Sequence, residues 1–176
     1  MLKKMRGFTL IELLIVVAII GILAALLIPN ALAAIQKAKQ KGTMKDINSL
    51  ATAITDYITD NGMAPTGQTW GPIVNNVYSV LSGFYLKVLP QNDQWNFPFQ
   101  LLCGSGQPGG YTGISLTGVD DFVIASYGRD RAVTAFTFNP LSPATAFFQI
   151  TGMDSYNQDL VNWSGSWAHA PRTAQQ

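Results

Sequence analysis

The chain has 176 residues and a net charge of +1, which suits one modest domain plus an N-terminal segment. Only 12% of its residues are charged, below the roughly 25% of soluble domains, partly because a long apolar segment is included. A charge this close to neutral argues against a nucleic-acid-binding protein, which would need a basic patch or stripe. We therefore expect no nucleic acid among the partners that the fold needs.

The first predicted element is an apolar helix over residues 8–35, in which Glu12 is the only charged residue. This helix is apolar on all sides, and its length exceeds the roughly 20 residues that cross a bilayer, so we predict a membrane span. An acid inside a membrane helix is unfavourable and usually has a function and a partner. The basic residues before the helix predict a cytoplasmic N terminus; they are Lys3, Lys4 and Arg6.

The residues around this acid form the motif Arg6-Gly7-Phe8-Thr9-Leu10-Ile11-Glu12-Leu13. This motif resembles the class III signal of the type IV pilin and pseudopilin family. The resemblance implies that a prepilin peptidase removes residues 1–7 by cutting after Gly7 and methylates the new terminal amine of Phe8. It further implies that the apolar helix becomes the core of a filament, in which Glu12 pairs with the N-terminal amine of a neighbouring subunit.

Two other interpretations of the apolar helix are open. A secretory signal peptide would have a basic start and a small-residue cleavage site, and Ala31-Leu32-Ala33 offers such a site. However, its apolar region should be about 7 to 15 residues long, and this one is longer and contains an acid. A single-pass anchor without any assembly role is the second alternative, and it leaves Glu12 unexplained.

The helix is predicted to continue well beyond the membrane. Pro29 removes a backbone donor and clashes with the preceding turn, which predicts a kink near Ile28. The resemblance implies that Pro29 serves filament assembly, and a tolerated kink is the alternative. From residue 35 to residue 58, apolar residues recur at spacings of three and four, which predicts an amphipathic second half that ends at Asn61-Gly62. The whole helix would measure roughly 80 Å.

Residues 36–176 are predicted to form a globular domain outside the membrane. Residues 63–80 predict a loop with a short helix, and residues 104–110, rich in glycine, predict a turn. Strands are predicted over residues 97–102, 111–116 and 122–126. A small antiparallel sheet laid on the apolar stripe of the helix would satisfy both elements. The predicted fold class is α+β, with a long kinked N-terminal helix, a small antiparallel sheet and a long C-terminal loop.

Further segments resemble the major pseudopilins of type II secretion. They are residues 43–65, Leu89-Pro90, Asp93, Trp95-Asn96, Pro98-Phe99, residues 121–130 and residues 159–163. The resemblance implies a structural subunit that waits in the bacterial inner membrane with its body in the periplasm and is then drawn into a filament. Its implied partners are prepilin peptidase, identical subunits, an inner-membrane assembly platform and other minor pilins or pseudopilins. A type IV pilin that forms a surface fibre is one alternative, and a membrane-anchored binding module is another.

The sequence argues against an enzyme. His169 lies in the tail of the chain, so nucleophilic catalysis would depend on a mobile base. One cysteine and one histidine cannot form a zinc site. Residues 104–110 lack the lysine of a phosphate-binding loop. Cys103 cannot form an intrachain disulfide, and we expect it to be a small buried hydrophobic residue.

A calcium site is the one metal site that the sequence suggests. Asp130, Asp154 and Asp159 flank the long segment 131–158, and Ca²⁺ binds carboxylates and backbone carbonyls from flexible loops. The resemblance to major pseudopilins implies that calcium pins this loop through an acid at Asp130, a second acid downstream and main-chain oxygens that include that of Tyr127.

The calcium prediction has a competitor. Arg129 and Arg131 bracket Asp130, the glycine expected after it is absent, and the segment before Asp159 is longer than the family loop, which leaves the second acid open. In the alternative, Asp130 pairs with an arginine and the loop is held by its own apolar residues. These residues are Phe136, Phe138, Leu141, Phe147, Phe148 and Ile150.

Overall fold

A computed structural model of the chain describes residues 7–172. Leader residues Lys3, Lys4 and Arg6 lie outside the described residues. The chain divides into two compact units, Met1–Ile35 and Gln36–Gln176. The elements are α1 (Leu10–Asn61), β1 (Gly71–Pro72), α2 (Asn75–Leu81), β2 (Gln100–Cys103), β3 (Tyr111–Thr112), β4 (Phe122–Ser126), β5 (Phe136–Thr137), β6 (Leu160–Trp163), β7 (Ser166–His169) and the 3-10 helices Pro143–Ala146 and Met153–Asn157.

Helix α1 confirms the predicted long N-terminal helix. It is unbroken at Pro29, and the bend expected there stays a prediction. It ends at Asn61 because Gly62 turns into the left-handed region at φ 73° and donates its N–H to the carbonyl of Ile58. A glycine adopts that conformation without the penalty of a Cβ, so the stop lies where the sequence predicted it.

A five-stranded antiparallel sheet with the order β1-β2-β4-β6-β7 forms the centre of the second unit. Strand β4 is central and every one of its residues is buried. Successive side chains in a strand point to opposite faces, so Phe122 and Ile124 enter one apolar cluster while Val123 and Ala125 enter another. Both faces of the sheet are therefore covered.

The first cluster joins the helix to the sheet. Ile47, Leu50 and Ile54 lie three and four residues apart on α1 and are fully or almost fully buried. They share this cluster with Phe99 of the loop before β2 and Leu160 of β6. Full burial of one such side chain contributes about 1.5 to 3 kcal/mol. This packing confirms the predicted sheet on the apolar stripe of the helix.

The second cluster covers the opposite face with loop residues. Tyr111, Ile114 and Leu116 pack there with side chains from β2, β4 and β6. The predicted strand over residues 111–116 is wrong beyond Thr112. Gly113 has φ +83°, and the backbone of Phe138 lies so close that a Cβ at this position would collide with it. The segment therefore pairs with β5 over two residues only, and Leu116 then forms an isolated bridge with Gly106.

The predicted strand over residues 97–102 begins only at Gln100. Asp93 is the reason, because its buried carboxylate accepts the backbone N–H groups of Trp95 and Phe97, both at 2.9 Å. Its second oxygen accepts the hydroxyl of Ser126 at 2.7 Å, which ties this turn to the end of β4. The local turn satisfies backbone donors that a longer strand would have used.

The C-terminal part of the chain is more ordered than the sequence predicted. Strands β6 and β7 form a hairpin, with the turn at Ser164 and Gly165, both at positive φ. The expectation that His169 lies in a mobile tail is wrong, since it ends β7 and is buried. The long loop instead lies inside the sheet topology, between β4 and β6.

Replacement of Asp93 by alanine should lower the free energy of unfolding by about 3 kcal/mol, because three donors would lose their acceptor. Urea unfolding of the full chain in neutral detergent, followed by tryptophan fluorescence, measures this loss. Asp46→Ala is the matched control, since that carboxylate accepts one exposed hydrogen bond from Gln94. Equal losses in the two variants would contradict the role given to Asp93.

Candidate functional site

The predicted processing and assembly residues lie at the start of α1. Thr9 precedes the helix, and its backbone N–H and hydroxyl both donate to one carboxylate oxygen of Glu12, at 2.9 Å and 2.6 Å. The backbone N–H of Glu12 in turn faces the Thr9 hydroxyl at 3.3 Å. This reciprocal pattern is a capping box, which satisfies donors at the first turn of a helix. Glu12 therefore has a local structural role that the sequence analysis missed, although the Thr-x-x-Glu spacing was visible.

Within the described part of the chain, no residues pack over the apolar helix surface of the first unit. Phe8 is 74% exposed, and the large apolar side chains from Leu10 to Leu32 are also exposed. Monomeric soluble proteins rarely expose a patch of this extent. Helix α1 contains an 18-residue window with mean hydropathy 3.1, which is long and apolar enough to cross a membrane.

A buried carboxylate organises the long loop of the second unit. Asp159 precedes β6 and has no exposed surface. One of its oxygens accepts the hydroxyl of Tyr111 at 2.6 Å and the backbone N–H of Thr134 at 3.1 Å. Its own backbone carbonyl lies 2.7 Å from Nδ1 of His169. Asp159 thus holds β3, the loop and β7 together.

Within the described residues, two buried acceptor oxygens on the segment just before β6 lack hydrogen-bond partners. They are the second carboxylate oxygen of Asp159 and the side-chain oxygen of Asn157, both buried. The segment that carries them packs on Gly128, where a Cβ would lie 2.8 Å from the carbonyl oxygen of Tyr156. Buried acceptors without a donor are unfavourable, and a hard cation is one group that would satisfy them.

Burial raises the pKa of Asp159 to about 7, and the charge of Asp130 adds to the increase. The hydrogen bond from Tyr111 acts in the opposite direction because it favours the charged form. Burial and the nearby carboxylate of Asp159 also raise the pKa of the Tyr111 hydroxyl. This hydroxyl therefore remains a donor at neutral pH.

The residues predicted to bind calcium are only partly brought together. The charge of Asp130 contributes to the raised pKa of Asp159, and the charge of Asp159 contributes to the raised pKa of the Tyr127 hydroxyl, which is raised chiefly by burial. Asp154 is exposed on the second 3-10 helix. Within residues 7–172, no three His, Cys, Asp or Glu side chains form a group that could hold a metal ion. Asn157, whose buried side-chain oxygen lacks a hydrogen-bond partner among the described residues, is a residue that sequence reasoning missed.

The competing account of the loop is only partly correct. Asp130 accepts the backbone N–H of Ala132, whereas Arg131 donates to the carbonyl of Trp95 at 2.7 Å. Phe138 packs edge-to-face on Trp163, with the ring centroids 5.7 Å apart. Further apolar residues of the loop are exposed, which corrects their assignment to a satellite core; they are Leu141 and Ile150.

His169 and Cys103 do not form a catalytic pair. The imidazole stacks on Phe136, with the ring centroids 4.4 Å apart, and tilts against Phe148. Burial lowers its pKa, so the ring is neutral near pH 7. Cys103 is partly buried against the first apolar cluster, and burial raises its pKa to about 12, which keeps the thiol protonated.

Comparisons with known proteins agree with the motif and with the fold. The family model "Prokaryotic N-terminal methylation motif" matches residues 2–28. The family model "Type II secretion system (T2SS), protein G" matches residues 30–134. The chain belongs to the type II secretion system protein G family. These proteins are structural pseudopilins, which favours a secretion filament over a surface pilus.

Relatives in the protein G family include the type II secretion system core protein G of Aeromonas hydrophila, 38% identical over 57% of this chain and 74% of that protein. The core protein G of Vibrio cholerae is 37% identical over 57% of this chain and 75% of its own length. That of Dickeya chrysanthemi is 28% identical over 95% of this chain and 92% of its own length. No solved structure matches the chain significantly. The match to the protein G family model ends at residue 134, inside the long loop.

In calcium-free solution, Asp159 should make stability depend on pH. The pKa of this carboxyl is raised from 3.8 to about 7 by folding. Between pH 3.8 and about pH 7, the folded protein therefore binds more protons than the unfolded protein does, so the free energy of unfolding falls as pH rises through this window. The melting temperature of wild type minus that of Asp159→Asn should therefore decrease by roughly 5 °C between pH 5 and pH 8. Subtraction at each pH cancels the titration of His169 and other groups, and a constant difference would contradict the raised pKa.

Proposed function

We propose that this chain is the major structural subunit of a type II secretion pseudopilus. The observation that carries the proposal is the apolar first half of α1, which is exposed on all sides and begins beside the Gly7–Phe8 processing motif. Such a surface needs lipid or other apolar helices around it, and a helical filament of identical subunits supplies the latter. The role is structural and needs no catalytic group.

Before assembly the subunit is held in the bacterial inner membrane, with a cytoplasmic N terminus and a periplasmic body. Prepilin peptidase cuts between Gly7 and Phe8 and methylates the new amine. An inner-membrane assembly platform then moves the subunit into the filament, which also contains other minor pseudopilins. The basic leader residues and the membership in the protein G family support this sequence of events.

Glu12 acts at the assembly step. After processing, the positively charged amine of Phe8 and the carboxylate of Glu12 would both be unfavourable in an apolar filament core. Pairing between the amine of one subunit and the acid of its neighbour offsets both costs and fixes the axial register. Glu12 lies in the first turn of the helix, close to the new N terminus in sequence, where the amine of an adjacent subunit can reach it.

Glutamine at position 12 separates the two roles of Glu12, because it can still close a capping box but carries no charge. Glu12→Gln should leave membrane insertion and processing intact and reduce filaments in sheared fractions at least about tenfold, comparable to one unpaired buried charge. Immunoblots of sheared and membrane fractions measure this outcome. Normal filaments from Glu12→Gln would show that the charge is unnecessary and that capping explains the acid.

Two further variants serve as controls for this experiment. Thr9→Ala removes the hydroxyl of the capping box but keeps the charge of Glu12, so we expect it to retain most filaments. Gly7 replaced by a bulky residue should block the earlier step and leave an unprocessed precursor. A mature N terminus at Phe8 in that variant would contradict the role of Gly7.

We further propose that calcium binds at the long loop through Asp159, the amide oxygen of Asn157 and Asp130. The unpaired buried oxygens of the first two residues support this assignment over one that uses Asp154. When bound, the ion would supply positive charge to these acceptors. The protein itself contributes the close packing at Gly128, which brings the end of β4 against the segment that carries the two oxygens.

Calcium in excess of chelator should raise the melting temperature of the full chain by roughly 5 °C, as expected for a ligand well above its dissociation constant. Asp159→Asn and Asp130→Asn should abolish this increase. Asp154→Asn is the matched control and should keep it, because Asp154 lies exposed on a different part of the loop. An unchanged melt of the wild type on chelation would overturn the calcium proposal.

A further inference from the structure

A groove of about 1850 Å³ runs along α1 within the second unit. One side is formed by polar helix residues between Lys37 and Thr52. The other side is formed by residues of the long loop between positions 144 and 156, by Trp167 of β7 and by residues 170–172 after that strand.

The charges that line the groove all have one sign. Lys37, Lys41 and Lys45 follow one another at intervals of four on the helix and are exposed, and Arg172 joins them from the C-terminal segment. No aspartate or glutamate lines the groove. Within the described chain, none of the three lysines forms an ion pair. Like charges four residues apart destabilise a helix slightly, so an anion from outside the chain would be favourable here.

The groove also presents apolar surface and an unused donor. Met44, Phe147 and Ile150 line it together with the cations. Gln40 lines it too, is only 2% exposed, and its side-chain amide nitrogen has no hydrogen-bond partner. A buried amide donor without an acceptor is rare in folded proteins. The groove therefore offers positive charge, a free donor and an apolar wall in one place.

We propose that this groove binds the phosphate headgroup of an anionic phospholipid while the subunit is in the membrane. Lys37 follows the apolar segment that ends at Ile35 by only two residues, so the chain itself keeps it within roughly 7 Å of the membrane segment. Phosphate oxygens match the lysines, Arg172 and the amide of Gln40, and the glycerol and acyl carbons match the apolar side chains.

A phospholipid fits these observations better than an acidic protein surface. Lysines directly after a membrane span are disfavoured on the side to which the body is translocated, so their presence there calls for a local anion. The bilayer supplies such anions at the surface where the chain leaves it. This inference rests on the membrane stage of the proposed function, and it concerns the subunit before assembly.

Native mass spectrometry of the full chain in neutral detergent tests the proposal, with phosphatidylglycerol or phosphatidylcholine added. The test variant is Lys37→Gln/Lys41→Gln. The matched control is Lys39→Gln/Lys87→Gln, which removes the same amount of charge from two residues that do not line the groove. Lys39 lies between the two test positions in the sequence, so the control also tests for a local effect of charge on the helix. The readout is the fraction of protein with one bound lipid, which does not depend on filament assembly.

We expect wild type and control to retain phosphatidylglycerol over phosphatidylcholine. The test variant should lose roughly 25-fold in binding, about fivefold for each of the two cations. Excess glycerol phosphate that displaces the lipid would show that the phosphate alone is recognised, and failure to displace it would show that the lipid body contributes. Both results support the site.

Equal retention of the two lipids, or equal loss in test and control variants, would overturn the proposed lipid site. Lysine-dependent dimers of the chain without lipid retention would also overturn it and assign the groove to an acidic protein surface. Normal filaments from a variant that has lost lipid binding would leave the proposed function intact.

Discussion

The apolar surface of α1 is the constraint on which the rest of the molecule depends. A helix that exposes leucine, isoleucine and valine side chains on every face cannot remain in water, because the cost grows with the apolar area exposed. It must have lipid around it before assembly and other helices around it afterwards. The start of the helix carries the methylation motif, with Gly7 and Phe8 as the proposed processing residues and Glu12 as the proposed counter-charge of the new N terminus. The second unit is attached to a helix whose first half needs lipid or other helices around it.

In the second unit, α1 changes from a helix that is apolar all round to one with a single buried stripe. The sheet covers that stripe with one face, and loops cover the other face. Asp93 and Asp159 have related roles, since each buried carboxylate accepts donors from separate segments and ties a loop to a strand. They differ in their hydrogen bonds: both carboxylate oxygens of Asp93 accept a donor, whereas one carboxylate oxygen of Asp159 has no donor among the described residues. The carboxylate oxygen without a donor is the reason why the proposed cation site lies at Asp159 and not at Asp93.

The sequence determined the parts of the structure that depend on local pattern. The unbroken apolar run, the stripe from Ile47 to Ile54 and the buried strand β4 are periodic and contiguous, so the helix and the central strand were predictable. Features that depend on contacts distant in sequence were not. The early end of β3 requires the backbone of Phe138 beside Gly113, and the burial of His169 requires Phe136 and Phe148 on either side of it. Resemblance indicated an acid downstream of Asp130, but only the fold separates the buried Asp159 from the exposed Asp154. The capping box at Thr9 depends on local spacing alone, so the Thr-x-x-Glu pattern was sufficient to predict it.

The place of β4 in the sheet has a consequence for synthesis. Its two neighbours are β2, which precedes it, and β6, which begins at Leu160. While the chain is being made, the apolar helix emerges first and can enter the membrane at once. The central strand, by contrast, has only one of its two neighbours until β6 has been translated. An open edge on a strand made mostly of apolar residues is prone to pair with other chains. Early insertion of the helix into the membrane would hold nascent bodies apart while β4 waits for its second neighbour, so the apolar helix would also protect folding.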